Sequence, residues 1–143
     1  MVIIGCDHAG FKLKEKIKNY LQKLNMDIVD VGAFNEHSED DFSKYALLMA
    51  KVFEDYKDAN LIAVCGSGVG MNIALNKQKG IFCVLGHSAK EVKKAREHNN
   101  VNAVAFGGRT TCFIKAKRMI NAFFKTKHLG GKYLKRMTDI DLK

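Results

Sequence analysis

Short apolar segments closed by glycine alternate with amphipathic stretches along this chain, and that alternation constrains the fold more than any other feature. Five apolar or β-branched segments predict strands: 2–5, 27–32, 60–66, 80–86 and 102–108. Between them, three sets of apolar residues recur at helical spacing: Leu13, Ile17, Leu21 and Leu24; Phe42, Tyr45, Met49, Val52, Phe53 and Tyr56; and Phe113, Ala116, Ile120, Phe123 and Phe124. Strands that are apolar on both faces and alternate with helices predict a five-stranded parallel sheet between two helix layers, a three-layer α/β/α, Rossmann-like fold.

The order of the strands predicts where a ligand would bind. In a flavodoxin-like sheet with the order 2-1-3-4-5, the order reverses between strands 1 and 3, and ligands bind there, beyond the carboxyl ends of the strands. The loops that leave these two strands read GCDHAG and CGSGVG. We therefore expect Asp7 and His8 to lie close to Cys65 and Ser67.

Composition indicates one soluble domain of a reducing compartment. The 143 residues, 47% of them hydrophobic, suit a single domain spanning 1–143. No apolar run reaches the length of a bilayer span, and the N-terminus lacks the features of a signal peptide. Four cysteines are widely spaced, without zinc or disulfide patterning: Cys6, Cys65, Cys83 and Cys112. We expect a cytoplasmic protein with free thiols, no metal site and no membrane contact.

Positive charge is concentrated in the last third of the sequence. The net charge is +9, and residues 98–138 contain nine Lys or Arg and no Asp or Glu. Such a region could meet nucleic acid, an anionic ligand or only water. It has neither the interleaved aromatic residues of a single-strand binder nor a helix-turn-helix pattern, so we expect no nucleic-acid partner.

The segment CGSGVG allows two readings of Cys65. Glycines 66, 68 and 70 let the chain turn tightly and expose backbone N–H groups where a helix begins, a place suited to anions. The spacing is neither that of a P-loop nor that of a dinucleotide fingerprint. A helix N-terminus favours a thiolate, yet a cysteine at the end of a buried strand is often an inert apolar residue.

The other candidates also have structural explanations when each is taken alone. Asp7 could cap the helix that follows it, and His98 and Asn99 could end a helix. Lys132 and Arg136 lie one helical turn apart and could close on one phosphate, but two such cations are commonly only solvated.

Taken together, these segments closely resemble the ribose-5-phosphate isomerase B family, which includes the galactose-6-phosphate isomerase subunits. The resemblance covers residues 1–137 and rests on GCDHAGFKLKEKI, DVGAF, CGSGVGMNIALNK, REHNNVNAVAFGGR and GGKYLKR in that order. It implies the interconversion of ribose 5-phosphate and ribulose 5-phosphate through a cis-enediolate, without metal or organic cofactor. It also implies a site shared between two subunits of a homodimer, with dimers able to pair into tetramers and the C-terminal helix in the dimer contact.

The resemblance also implies residue roles. Cys65 matches the proton acceptor, and His98 matches the proton donor that opens the furanose ring, helped by Asp7. The cradle for the enediolate would be Gly66, Ser67, Gly68, Val69 and Gly70. Further substrate-binding positions are His8, Asn99, Arg109, Lys132 and Arg136, whose cations suit a phosphate.

Several residues depart from the family's pattern. Asp41-Phe42-Ser43 replaces the usual Asp-Tyr-Pro, Lys132 replaces an arginine and Tyr133 a histidine. Ser88 stands where aspartate is common, and Ser67 where threonine is more common. Two alternatives therefore stay open: an isomerase of a hexose phosphate such as allose 6-phosphate or galactose 6-phosphate, and a sugar-phosphate-binding protein without catalytic activity.

Overall fold

The structure is a computed structural model that describes residues 1–37 and 39–141. Its five strands are β1 to β5 in chain order: Val2–Cys6, Ile28–Asp30, Asn60–Cys65, Cys83–Leu85 and Ala103–Gly107. Its helices are α1 to α6: Phe11–Lys23, Phe42–Asp55, Val69–Asn76, Ala89–Asn99, Phe113–Lys125 and Lys132–Asp141. A single 3-10 turn, His8–Gly10, joins β1 to α1. All five predicted strands are present, each with shifted ends.

The sheet is parallel throughout, which confirms the predicted fold class, but its spatial order is β2-β1-β3-β5-β4. The expected order of the last two strands is therefore wrong. Every residue of β5 is buried, whereas β4 has three residues and only its first is buried, so β5 takes the inner position and β4 the edge. This exchange places the loop after β5 directly beside the loop after β3.

The predicted fourth strand is shortened by a side chain. Asn102 Oδ1 accepts a hydrogen bond from Phe82 N–H (2.8 Å), and its Nδ2 donates to the Gly80 carbonyl (2.7 Å). The Asn102 side chain thus takes the Phe82 N–H and the Gly80 carbonyl, while the Phe82 carbonyl accepts a hydrogen bond from the Ala103 N–H of β5 (3.1 Å), so pairing with β5 begins only there.

Two apolar clusters lie on opposite faces of the sheet. One cluster takes its helical residues from α1, α4 and α5, among them Ile17, Val92 and Ile120, and the other from α2 and α3, among them Met49 and Leu75. Each fully buried side chain of this size stabilises the fold by about 2 kcal/mol relative to an exposed one. The helical stripes read from the sequence thus face the sheet, except at their ends, where Leu24, Phe42 and Tyr56 are partly exposed.

A buried lysine fixes the loop that follows β2. The Lys14 side chain is 0% exposed, and its Nζ donates to both Asp30 carboxylate oxygens and to the Ala33 carbonyl, each at 2.9 Å. Burial would raise the pKa of Asp30, but hydrogen bonds from Lys18 and Lys14 outweigh it, so the pKa is lowered. The ion pair ties α1 to the start of the segment 31–41.

No helix within residues 1–37 and 39–141 combines the length and apolarity needed to cross a bilayer.

Candidate active site

Three loops meet at the carboxyl edge of the sheet, as the parallel topology requires. Gly108 N–H donates to the Cys65 carbonyl (2.7 Å), and Arg109 N–H donates to the Gly66 carbonyl (3.1 Å). On the other side, Asp7 N–H donates to the Val64 carbonyl (3.2 Å). The loops after β1 and β3 therefore lie side by side, as the sequence predicts, and the loop after β5 joins them.

The sulfur of Cys65 receives a backbone hydrogen bond at the start of α3. Cys65 is 4% exposed, and the Gly68 N–H donates to its Sγ at 3.2 Å. Gly68 caps α3 with φ +81°, and a Cβ there would lie 2.8 Å from Leu85 Cδ1, so the turn requires glycine. An amide donor at the positive end of a helix stabilises a thiolate more than a thiol.

Two polar groups lie over the same loop. Ser67 is exposed, and its Oγ accepts a hydrogen bond from Val69 N–H (3.3 Å). The Arg109 side chain covers the other side, because a Cβ built on Gly66 would lie 3.0 Å from its Nη1. The loop thus combines a thiol, a hydroxyl and a guanidinium at the end of one strand.

Phe42 borders the loop with an apolar ring. A Cβ on Gly70 would lie 2.8 Å from Phe42 Cζ, so the ring rests on the first turn of α3. Phe42 is 39% exposed. The wall of the site at this point therefore offers van der Waals contact and no hydroxyl.

His8 is held by a carboxylate that sequence reasoning did not identify. Asp40 Oδ1 accepts a hydrogen bond from His8 N–H (2.8 Å) and pairs with His8 Nδ1 (2.9 Å), while Tyr45 donates its hydroxyl to Asp40 Oδ2 (2.7 Å). The hydrogen bond to Asp40 raises the pKa of His8. Burial and the Asp40 carboxylate raise the pKa of Tyr45 to about 12, so Tyr45 remains a donor at neutral pH.

Asp7 both caps a turn and lies at the site. Its Oδ1 accepts a hydrogen bond from Gly10 N–H (3.0 Å), and the residue is 7% exposed. Burial raises the pKa of Asp7, although hydrogen bonding by Gly10 and the nearby His8 oppose the shift. Asp7 therefore caps the 3-10 turn His8–Gly10, and Gly10 takes the N-cap position of α1.

The remaining predicted residues gather elsewhere, where α4 ends against α6. The rings of His98 and Tyr133 are stacked, with centroids 4.3 Å apart and planes 2° from parallel. Asn99 Nδ2 lies 3.5 Å from Met137 Sδ. Lys132 Nζ and Arg136 Cζ lie 5.3 Å and 5.7 Å from the centre of the Tyr133 ring.

We name these two sets the sheet-edge group and the helix-end group. The sheet-edge group contains Asp7, His8, Cys65, Gly66, Ser67, Gly68, Val69, Gly70 and Arg109. The helix-end group contains His98, Asn99, Lys132, Tyr133 and Arg136. Within residues 1–37 and 39–141, no hydrogen bond, ion pair or ring contact joins a member of one group to a member of the other.

The topology explains their separation. Helix α4 ends at Asn99, just before β5 begins at Ala103, and Ala103 pairs with Leu61, whereas Cys65 pairs with Gly107 at the opposite end. Four residues of strand span about 13 Å, at about 3.3 Å per residue. His98 therefore lies towards the amino edge of the sheet and Cys65 at its carboxyl edge, so one chain does not bring the two together.

Local sequence could not reveal every residue that supports the site. Asp40 lies 32 positions from His8 in an acidic run before α2, and Lys14 looks like one of several lysines on an amphipathic helix. The position of Lys14 on the apolar stripe, beside Leu13 and Ile17, is the feature of the sequence that could have identified this lysine as buried. Among the described residues, no three or more His, Cys, Asp or Glu side chains are grouped so as to hold a metal ion.

Comparison with known proteins identifies the family of the chain. The family model described as Ribose/Galactose Isomerase matches residues 2–140. Ribose-5-phosphate isomerase B from Escherichia coli is 32% identical over 139 residues, which cover 97% of this chain and 93% of the relative.

Solved structures show the same fold. Ribose 5-phosphate isomerase from Thermotoga maritima superposes with a TM-score of 0.93 at 34% identity, covering 99% of this chain and 97% of the other. The enzyme from Mycoplasma genitalium, with bound ribulose 5-phosphate, superposes with a TM-score of 0.94 at 30% identity, covering 99% and 93%. The chain therefore belongs to the ribose/galactose isomerase family and is an aldose–ketose isomerase.

Proposed function

We propose that this enzyme interconverts ribose 5-phosphate and ribulose 5-phosphate through a cis-enediolate, as one cytoplasmic domain spanning residues 1–143. The observation that carries the proposal is the position of Cys65: a nearly buried thiol whose sulfur accepts the Gly68 N–H beneath an exposed hydroxyl and a guanidinium. The relative from Mycoplasma genitalium, solved with ribulose 5-phosphate, supports the choice of substrate.

Ring opening is the first step. The bond between C1 and the ring oxygen of the furanose breaks, His98 gives a proton to that oxygen, and the C1 hydroxyl gives its proton to Asp7. The step needs both a general acid and a general base, because the ring oxygen gains a proton while the C1 oxygen loses one.

Proton transfer between carbons follows. The Cys65 thiolate takes the proton from C2, the electron pair forms the C1–C2 double bond, and negative charge develops on O1. Backbone N–H groups of residues 66–70 and the Ser67 hydroxyl stabilise that charge. The thiol then returns the proton to C1 while a proton passes from O2 to O1, which gives the ketose. The Asn99 side chain positions the sugar by hydrogen bonding to its hydroxyl groups.

Four cations bind the phosphate. His8 and Arg109 approach from the sheet-edge group, and Lys132 and Arg136 from the helix-end group. Arginine offers a fork of donors to phosphate oxygens, whereas lysine offers a point charge, so we assign the directional contacts to Arg109 and Arg136.

A complete site requires a second copy of the chain. The two groups lie towards opposite ends of strands whose paired residues span about 13 Å, and a general acid must reach hydrogen-bond distance of its target. We propose a homodimer in which the helix-end group of one subunit faces the sheet-edge group of the other. Two-fold symmetry then gives two equal sites, and two dimers can pair into a tetramer.

Substrate comparison tests the proposed reaction. We expect kcat/KM to be highest for ribose 5-phosphate when it is measured beside allose 6-phosphate and galactose 6-phosphate. Phe42 places an apolar ring against the first turn of α3. The additional hydroxyl group of a hexose phosphate therefore gains no hydrogen bond there. A higher kcat/KM for a hexose phosphate would instead assign the enzyme to that sugar.

Solvent exchange distinguishes an enzyme from a binding protein. During turnover in D2O, an enediolate mechanism with solvent access to the thiol incorporates deuterium into the sugar carbons. Tight binding of ribose 5-phosphate with neither turnover nor deuterium incorporation would contradict the proposed function and support a binding role.

A further inference from the structure

A ring contact, rather than a hydrogen bond, sets the orientation of the His98 imidazole. Within residues 1–37 and 39–141, neither ring nitrogen of His98 has a hydrogen-bond partner, whereas His8 is fixed by Asp40 through Nδ1. The side-chain torsion of a histidine ring is broad, so an imidazole without such a bond needs another contact to set its plane. The contact that His98 makes is the face of Tyr133, 4.3 Å away and 2° from parallel.

Tyr133 is itself fixed by the helix that carries it. Helix α6 packs against α4, and Met137, one turn beyond Tyr133, is 8% exposed and lies 3.5 Å from Asn99 Nδ2. Two successive residues of α4 thus contact two residues of α6 that share a face. The Leu129 N–H, which donates to the Glu97 carbonyl at 3.0 Å, holds the incoming loop at the same place.

We propose that Tyr133 is a positioning residue for His98, fixing the plane of the imidazole through the ring stack and thereby aiming its proton at the ring oxygen of the sugar. This inference rests on the proposed function, in which His98 opens the furanose ring. The aromatic face does the positioning and the phenol hydroxyl takes no part. Tyr133 also stands between Lys132 and Arg136, so the same helix sets the distance from the acid to the phosphate-binding cations.

The stack can be observed in the unmodified protein by NMR, with one variant used for assignment. A ring that lies over the face of a tyrosine has its C–H signals shifted upfield in the proton NMR spectrum, and His98→Asn identifies which histidine signals belong to His98. We expect upfield His98 signals in the unmodified protein. Their appearance at ordinary histidine positions would overturn the inference.

Kinetics test the role in catalysis. Because misplacement of a catalytic group by about 1 Å costs up to about 100-fold, we expect Tyr133→Leu to lower kcat for ribose 5-phosphate by roughly tenfold. Tyr133→Phe keeps the stack and should retain kcat within about twofold. Tyr56→Leu makes the same change at the partly exposed end of α2 and should leave kcat unchanged. A normal kcat in Tyr133→Leu, or an equal loss in Tyr133→Phe, would overturn the inference.

A double-variant cycle separates this inference from the proposed function. If Tyr133 acts through His98, Tyr133→Leu should change kcat by less than about twofold when His98 is already asparagine. Additive losses would overturn the inference alone, since they would show that Tyr133 acts independently of His98. A normal kcat in His98→Asn would overturn the proposed role of His98 and this inference with it.

Discussion

The sheet-edge group and the helix-end group are held in place by different kinds of contact. The residues of the sheet-edge group lie on loops that directly follow buried strands. These loops are joined by backbone hydrogen bonds, and His8 is fixed by the Asp40 carboxylate. The helix-end group lies at the ends of two helices, where His98 is held by a ring stack and its two cations are exposed. The core therefore preorganises the first group, whereas the second depends on how α6 packs on α4. The following predictions test that difference, beginning with the largest effect.

Replacement of the Cys65 thiol should lower the rate of the reaction and leave the fold unchanged. We expect Cys65→Ala to lower kcat by roughly 10³-fold, the usual contribution of a positioned general base. Cys83→Ala is the matched control, because Cys83 is also buried and burial raises the pKa of its thiol. Circular dichroism checks the fold of both proteins, and a Cys65→Ala protein with normal turnover would exclude Cys65 as the base.

Loss of the buried lysine should weaken the frame of the sheet-edge group. Lys14→Met leaves the Asp30 carboxylate without its buried partner, and we expect the free energy of unfolding to fall by about 3 kcal/mol in urea. Lys12→Met is the control on the same helix: Lys12 pairs with Glu36 at 2.9 Å but is 77% exposed, so we expect a loss below about 1 kcal/mol. Equal losses would show that the buried ion pair has no special role.

Removing the carboxylate that holds His8 should weaken phosphate binding and change its pH dependence. His8 binds phosphate best when protonated, so KM should rise as pH increases through the pKa of His8, which the Asp40 hydrogen bond raises. Asp40→Asn lowers that pKa, and the charged group that still faces His8 is Asp7. We expect KM at neutral pH to increase roughly tenfold, because a neutral imidazole no longer offers a charge-assisted hydrogen bond to the phosphate.

The control for this prediction is Asp41→Asn, which changes the neighbouring aspartate and leaves the His8 contact in place. The measurement is KM for ribose 5-phosphate as a function of pH. An Asp40→Asn profile that coincides with those of Asp41→Asn and the unmodified protein would show that Asp40 does not set the charge of His8.

Local patterns predicted the parts of this molecule that local physics determines. Helical stripes such as Leu13, Ile17 and Leu21 face the sheet, and the glycines after Cys65 form the tight turn at the start of α3. The parallel sheet and its switch point then place the loops after β1 and β3 together. These inferences needed only periodicity and the geometry of parallel strands.

The errors and omissions involve contacts between distant residues. The exchange of β4 and β5 follows from the greater burial of β5, and the short β4 follows from the Asn102 side chain. Asp40 reaches His8 across 32 positions, and Tyr133 reaches His98 across the whole of β5 and α5. No periodicity encodes such pairs, because each depends on how whole elements pack.

Subunit complementation tests most directly the claim that the two groups meet between chains. We expect the Cys65→Ala and His98→Asn proteins each to be nearly inactive; they are mixed in equal amounts, unfolded and refolded together. Half of the dimers are then mixed, and each mixed dimer has one site with both Cys65 and His98, so we predict recovery of about a quarter of the unmodified activity. Activity no greater than that of the separate variants would contradict the account, because it would show that Cys65 and His98 act within one chain.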